Sequence, residues 1–154
     1  MKGNDKVIAI LNERLAEELT AISQYMVHSE MCESWGFHKL HEAIEKQAID
    51  EMKHAESLIG RILFLEGTPT VSKLNRIMIG KSVEEMLKVD LEAEIDAIKV
   101  YNESIAAAGE AGDNGTVDML SKILLDEEAH AEWGETQFKL IERLGVQRYM
   151  SHQV

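Results

Sequence analysis

One cysteine, one proline, three phenylalanines, three tyrosines and two tryptophans are all that 154 residues contain of these types. So thin a supply excludes several architectures. A lone Cys32 makes no internal disulfide, which argues against a disulfide-stapled extracellular module and for a reducing compartment. With Pro69 alone and 5% aromatics, the chain lacks the turn and strand formers of a β sandwich or barrel. Basic residues are also short: sixteen Lys and Arg face twenty-eight Asp and Glu, and the net charge of −12 repels nucleic acid and anionic lipid. No apolar run reaches the ~20 residues of a membrane span, and Met1-Lys2-Gly3-Asn4-Asp5 lacks the apolar centre of a signal peptide. A cytoplasmic protein with no nucleic-acid and no membrane partner is expected.

What the chain does have is long helical periodicity. Between Asp5 and Trp35 there is neither glycine nor proline, and Val7, Leu11, Leu15, Leu19, Ile22 and Met26 recur on one face of a helix about 45 Å long. Gly36 breaks it. A second helix, from Phe37 to Glu66, carries Leu40, Ile44, Ala48, Ala55, Leu58, Ile62 and Leu65 and ends at Gly67. The stretch from Gly67 to Lys81 is too long for a hairpin turn and, nearly extended, spans a whole helix length. It predicts a crossover joining parallel second and third helices. Ser82-Val83-Glu84-Glu85 reads as a capping box opening a third helix that runs to about Ala108. Gly109 to Gly115 reads as a turn, and Thr116 to Leu144 as a fourth helix stopped by Gly145. Val146 to Ser151 leaves room for a short terminal helix. Gly60 and Gly134, inside helices, are expected to mark close helix approach. The expected fold is all-α and a single domain, residues 1–154, with a long crossover between helices two and three and a short fifth C-terminal helix.

The two halves repeat at an offset of 76 residues. Leu11, Leu15, Glu18, Ile22 and Tyr25 match Leu87, Leu91, Glu94, Ile98 and Tyr101. Asp50-Glu51-x-x-His54-Ala55 matches Asp126-Glu127-x-x-His130-Ala131. A shared core face explains the apolar matches. It does not explain Glu18 and Glu94, which lie on otherwise apolar stripes where an unpaired carboxylate costs several kcal/mol. Glu and His three apart share a helix face, a spacing that alone is a common coincidence. Joined in both halves to a Glu 33 residues earlier, it is not. Four carboxylates and two imidazoles, drawn in this pattern from four helices, are the ligand set already known from di-iron and di-manganese bundles. Their charge balances two divalent ions, and hard oxygens mixed with imidazole favour Fe or Mn. By position Glu51 and Glu127 would bridge, with Glu18 and His54, and Glu94 and His130, as terminal ligands. The alternative is a buried ion-paired network that holds no metal.

At these residues the chain resembles the bacterioferritins. The resemblance covers essentially all of it, from Met1-Lys2-Gly3 through Asp50-Glu51-Met52-Lys53-His54-Ala55 to Ile62-Leu63-Phe64-Leu65-Glu66-Gly67. It implies a ferritin-like four-helix bundle assembled as a hollow shell of 24 subunits, in which O₂ or H₂O₂ oxidises Fe(II) at Glu18, Glu51, His54, Glu94, Glu127 and His130. Ferric mineral is then stored inside. The resemblance also implies haem b, bridging two subunits through Met52 of each chain, and a ferredoxin-type reductant for iron release. Met52 stands where the other half has Glu128, about 130° around the helix from Glu51 and His54. With Ile49, Ala55, Ile59 and Leu63 it is expected to form an outward apolar stripe suited to a subunit interface. Without the family likeness, one methionine among eight reads as packing. Leu19, Ile22, Ser23 and Met26 resemble the family's pocket-lining positions.

Some family members carry a histidine shortly before Asp50 that serves an inner-surface iron site, whereas this chain has Lys46 and Gln47, which argues against a relay through Asp50. Tyr25 reads either as an electron or hydrogen-bond donor beside Glu18 or as core packing, and Trp133 has the same two readings. His28, His38, His41 and His152 have no repeat partners and are expected at the surface or an interface. Competing functions on the same fold are a peroxide-reducing di-iron enzyme of the rubrerythrin kind, a manganese catalase, and a haem-bridged electron carrier that stores no iron. One cysteine excludes a rubrerythrin's cysteine-rich iron domain. The tail Ser151-His152-Gln153-Val154 lacks the basic residues of a DNA-binding mini-ferritin.

Overall fold

A computed structural model describes residues 1–154 as five helices and no strand. These are α1 (Asp5–Ser34), α2 (His38–Phe64), α3 (Val83–Glu110), α4 (Asn114–Leu144) and α5 (Val146–Ser151). The all-α bundle, its crossover and its short last helix are all present, and no helix is long and apolar enough to cross a membrane.

Caps set the helix starts. Asn4 accepts the N–H groups of Lys6 and Val7 at 2.8 and 3.4 Å. Ser82 Oγ accepts the Glu85 N–H at 3.2 Å, but the Glu85 carboxylate reaches past the cap to the Lys81 N–H at 2.8 Å, so the capping box is displaced by one residue. Asp113 accepts from the Thr116 N–H at 3.0 Å and from its hydroxyl at 2.7 Å. That cap starts α4 at Asn114, two residues before the Thr116 read from the sequence, and shortens the preceding turn to 111–113. Gly36, at φ 83°, supplies the left-handed residue that turns α1 into α2.

Contacts along α1 give the topology. The Met1 amino group and the Gly3 N–H meet the carbonyls of Phe64 and Leu65, so α2 ends beside the start of α1. From there the crossover runs back along α1, touching Asn12 at Thr70, Thr20 at Asn75, Gln24 at Met78 and His28 at Gly80. Helix α3 therefore begins where α2 begins and runs parallel to it. Helix α5 closes that same end, where the Lys39 N–H donates to Gln153 and the Tyr149 hydroxyl to Gln137.

The apolar interior has two parts. One gathers Val7, Leu11 and Leu15 of α1 with Leu58, Ile62, Tyr101, Leu120 and Ile123. The other gathers Tyr25, Cys32, Leu40, Ile44, Met86, Leu87 and Tyr149. Between them on each long helix stand the charged residues: Glu18 on α1, Glu51 and His54 on α2, Glu94 on α3, Glu127 and His130 on α4.

Two expectations need correction. Gly134 does sit at a close approach, since a Cβ there would lie 3.2 Å from Leu91 Cδ1, but Gly60 is exposed with nothing within 4 Å of such a Cβ. Ala55 belongs to the core, not to the outward stripe, because it lies next to His54 on the buried side of α2. The outward face of α2 is carried by Ile49, Met52 and Leu63, at 43, 45 and 58% exposure.

Candidate metal centre

All six residues singled out by the repeat are buried and face one another. Their ligand atoms form two overlapping groups, Glu18–Glu51–His54–Glu127 and Glu51–Glu94–Glu127–His130, with every atom of a group within 4.8 Å of the others. Glu51 and Glu127 belong to both. The two imidazole centroids are 6.3 Å apart. His54 Nδ1 lies 2.9 Å from Glu51 Oε2, 2.9 Å from Glu127 Oε1 and 3.5 Å from Glu18 Oε2. His130 Nδ1 lies 3.2 Å from Glu51 Oε1 and 3.6 Å from Glu94 Oε1.

A set of residues satisfied by mutual pairing would leave no loose ends. Here Glu94 Oε2 and Glu127 Oε1 are buried without a hydrogen-bond donor, although Glu127 Oε1 is close to His54. Orphaned acceptors at this depth are costly, and a cation between the carboxylates would satisfy them. In the absence of a cation, protons must neutralise the cluster. Burial lifts the Glu18 carboxyl well above its ordinary range, with the neighbouring Glu51 charge adding to it. Burial likewise pushes Glu127 up to about 12. Burial opposes the charge on both imidazoles, yet the carboxylates around them win: His54 is held well above its usual value by Glu127, Glu18 and Glu51, and His130 is raised to about 10 by Glu51 and Glu94.

Around these six residues the repeat produces two crosswise exchanges. The Tyr25 hydroxyl donates to Glu94 Oε1 and the Tyr101 hydroxyl to Glu18 Oε1, each phenol reaching the carboxylate of the other half. Burial holds both phenols well above their usual pKa, so they stay donors. On the opposite side His54 Nε2 meets Asp126 Oδ2 at 3.0 Å and His130 Nε2 meets Asp50 Oδ2 at 3.3 Å. An aspartate on Nε2 keeps a proton there, so that in the neutral ring the Nδ1 lone pair is the one turned toward the cluster.

These partners were only partly legible. Tyr25 satisfies both of its readings, packing in the second apolar cluster and donating to the six-residue cluster, though at Glu94 and not Glu18, and Trp133 packs against the second apolar cluster. The repeated motif displays Asp50 and Asp126 without showing what they bond: Asp126 meets His54, and Asp50 meets His130 and also lies 3.6 Å from Lys46. His28 is not at the surface. It is fully buried, with Nδ1 2.9 Å from both oxygens of Asp90 and Nε2 accepting the Gly80 N–H. His38 and His152 are exposed and His41 is half-buried, as expected. Cys32 is buried, which pushes its thiol up to about 12 and removes it as a nucleophile.

Residues 8–144 match the model of the ferritin family, described as a ferritin-like domain. A bacterioferritin of Rhodobacter capsulatus is 44% identical over 149 residues, covering 97% of this chain and 92% of that protein. A bacterial ferritin of Synechocystis is 44% identical over 155 residues, covering 100% of this chain and 99% of its own length. The chain belongs to the bacterioferritin family. A bacterioferritin of Mycolicibacterium paratuberculosis, 39% identical over 97% of this chain and 94% of that protein, extends the family likeness to a more distant relative.

Proposed function

We propose that this protein stores iron as a ferroxidase, taking Fe(II) in pairs at Glu18, Glu51, His54, Glu94, Glu127 and His130. The observation that carries the reading is the pair of overlapping ligand groups sharing Glu51 and Glu127. That arrangement suits two neighbouring ions bridged by two carboxylates. Glu18 with His54 would complete one position and Glu94 with His130 the other. Fe(II) is the substrate here. Each of two ions gives up one electron, and the pair of electrons with two protons reduces O₂ to H₂O₂, or H₂O₂ to two waters. Tyr101 and Tyr25 hold the outer carboxylates in place, while Asp126 and Asp50 hold the imidazoles. The ferric product collects as mineral inside a shell of 24 chains working in the cytoplasm, and a ferredoxin-type reductant releases it. The relatives named bacterioferritin and bacterial ferritin support storage over peroxide reduction.

Haem b is the cofactor the family implies, and this chain's residues fit it. Met52 presents a half-exposed thioether on the outward face of α2, flanked by exposed Ile49, while Met26 stands exposed on α1 beyond half-buried Leu19 and Ile22. Met52 of each of two chains would ligate one haem across a two-fold dimer interface. Haem bound there would carry single electrons.

Fe(II) added to the anaerobic assembly and then exposed to air is expected to consume O₂ and to be retained at far more than two irons per chain. Uptake that stops at two per chain would refute storage.

A further inference from the structure

Thr20, Gln24 and His28 stand one turn apart on α1, and each accepts a backbone N–H of the crossover. The Asn75 N–H donates to Thr20 Oγ1 at 2.8 Å, Met78 to Gln24 Oε1 at 2.9 Å and Gly80 to His28 Nε2 at 3.0 Å. Each acceptor is itself held. Thr20 donates to the Ala16 carbonyl at 2.7 Å, the Gln24 amide to Asp90 Oδ1 at 2.7 Å, and His28 Nδ1 faces Asp90. Since the Gly80 N–H needs a lone pair at Nε2, the ring proton sits on Nδ1 and points at Asp90. All four side chains are buried. Gly80 is pressed so close to α3 that a Cβ there would lie 2.3 Å from the Met86 nitrogen. Most of the fastened segment is otherwise exposed to solvent, Asn75, Arg76, Met78 and Ile79 among it.

The segment is also a wall. A cavity of about 330 Å³ opens between α1 and α3, and Thr20, Gln24, Asn75 and Met78 all line it, the two latching side chains together with the two residues they hold. At its exposed end stand Glu92 and Asp96; at its buried end, Glu18, Glu51, Glu94 and Glu127. Arg76 lines the same cavity and sets a positive charge beside the path of any cation travelling inward.

We propose that Thr20, Gln24, His28 and Asp90 are positioning residues that keep the 75–80 strap closed over this cavity, and that the strap sets the rate at which a cation reaches the cluster. The inference rests on the reading of the cluster as a cation site. Removing one latch bond raises the population of the loosened strap about fivefold, the factor that a single hydrogen bond is worth. The cluster's own ligands are untouched, so arrival becomes faster while the final affinity stays the same.

The test uses the assembled protein and Co(II) alone, whose visible absorption reports arrival at the cluster in stopped flow. Thr20→Val removes the hydroxyl without changing the side chain's shape, Gln24→Leu removes the amide at similar volume, and Thr20→Ser keeps the hydroxyl. In Thr20→Val the Asn75 amide, and in Gln24→Leu the Met78 amide, should exchange with solvent faster. Co(II) should then arrive about fivefold sooner in both, with an unchanged endpoint affinity and with Thr20→Ser behaving as the parent. Freed amides with unchanged or slower arrival overturn the proposal, as do amides that exchange no faster. Failure of the parent protein to take up Co(II) at all would instead overturn the cation reading of the cluster itself.

Discussion

The phenol of Tyr25 on α1 donates to the carboxylate of Glu94 on α3, and 76 residues along the chain the phenol of Tyr101 on α3 donates back to Glu18 on α1. Each half of the repeat thus holds a carboxylate of the other. Replacing Tyr25 with Phe frees Glu94, and replacing Tyr101 with Phe frees Glu18. Each change should weaken one cation position about tenfold and leave the other near its original affinity, as loss of an outer hydrogen bond to a ligand typically does. A Co(II) titration that resolves two steps checks this, and equal weakening of both steps would contradict it.

Bridging and terminal ligands differ in what their loss removes. Glu51 belongs to both ligand groups, so on the proposed assignment Glu51→Ala should abolish retention of both ions. Glu18→Ala or His130→Ala should leave one position filled and slow Fe(II) oxidation at least about tenfold. Metal analysis together with the initial rate of O₂ consumption distinguishes them, and one ion retained by Glu51→Ala would remove Glu51 from the bridging role.

Cations and protons compete for the cluster. With His130 raised to about 10 and Glu127 to about 12, these two groups hold protons at neutral pH when no cation is present, and His54 and Glu18 are shifted in the same direction. Binding must displace them, so affinity falls as pH falls. In weakly buffered solution at pH 7, Zn(II) binding should release on the order of one proton or more per ion. Binding without acidification would show that the ligands were already deprotonated.

Asp113 gives a separate pH dependence. Burial would raise its carboxyl, but the Thr116 hydroxyl and N–H and the Arg61 guanidinium outweigh burial and hold it below the ordinary value. A carboxyl depressed in the folded state contributes stability that is present above its unfolded pKa and is lost as pH falls through the folded one. Asp113→Ala should cost about 1 kcal/mol at pH 7 through the lost cap. The deficit should shrink near pH 3, as denaturant unfolding at the two pH values would reveal. A deficit that does not change with pH would mean that the charge of Asp113 is irrelevant.

For the haem, Met52→Leu keeps the apolar volume and removes the sulfur. The low-spin haem spectrum should vanish while the native mass of the assembly is unchanged. A retained spectrum would place the axial ligand elsewhere.

The sequence exposed the six cluster residues because a repeat places charge on otherwise apolar stripes, and a carboxylate that recurs inside a core face needs a reason. The four long helices were legible for a related cause, since glycine-free amphipathic runs have few other ways to fold. The crossover announced itself only by length. What it touches could not be read, because Thr20, Gln24 and His28 bind backbone N–H groups, and backbone carries no pattern in the sequence. The same blindness hides the burial of His28, which the sequence places at the surface or an interface. The bonds of Asp50 and Asp126 were hidden for another reason: each lies one turn before the histidine of its own helix and serves the histidine of the facing helix, a partnership that spacing along one chain segment does not encode.

Two halves that face each other across one cluster are held alike on the inside and left independent on the outside. Glu18 and Glu94 end in one buried cluster, whereas Met52 and Glu128, equivalent by the repeat, are both exposed and share no surroundings. Duplication of this kind divides a chain into a shared interior and two separately adaptable exteriors. One exterior is then free to acquire a soft sulfur donor while the other keeps a carboxylate.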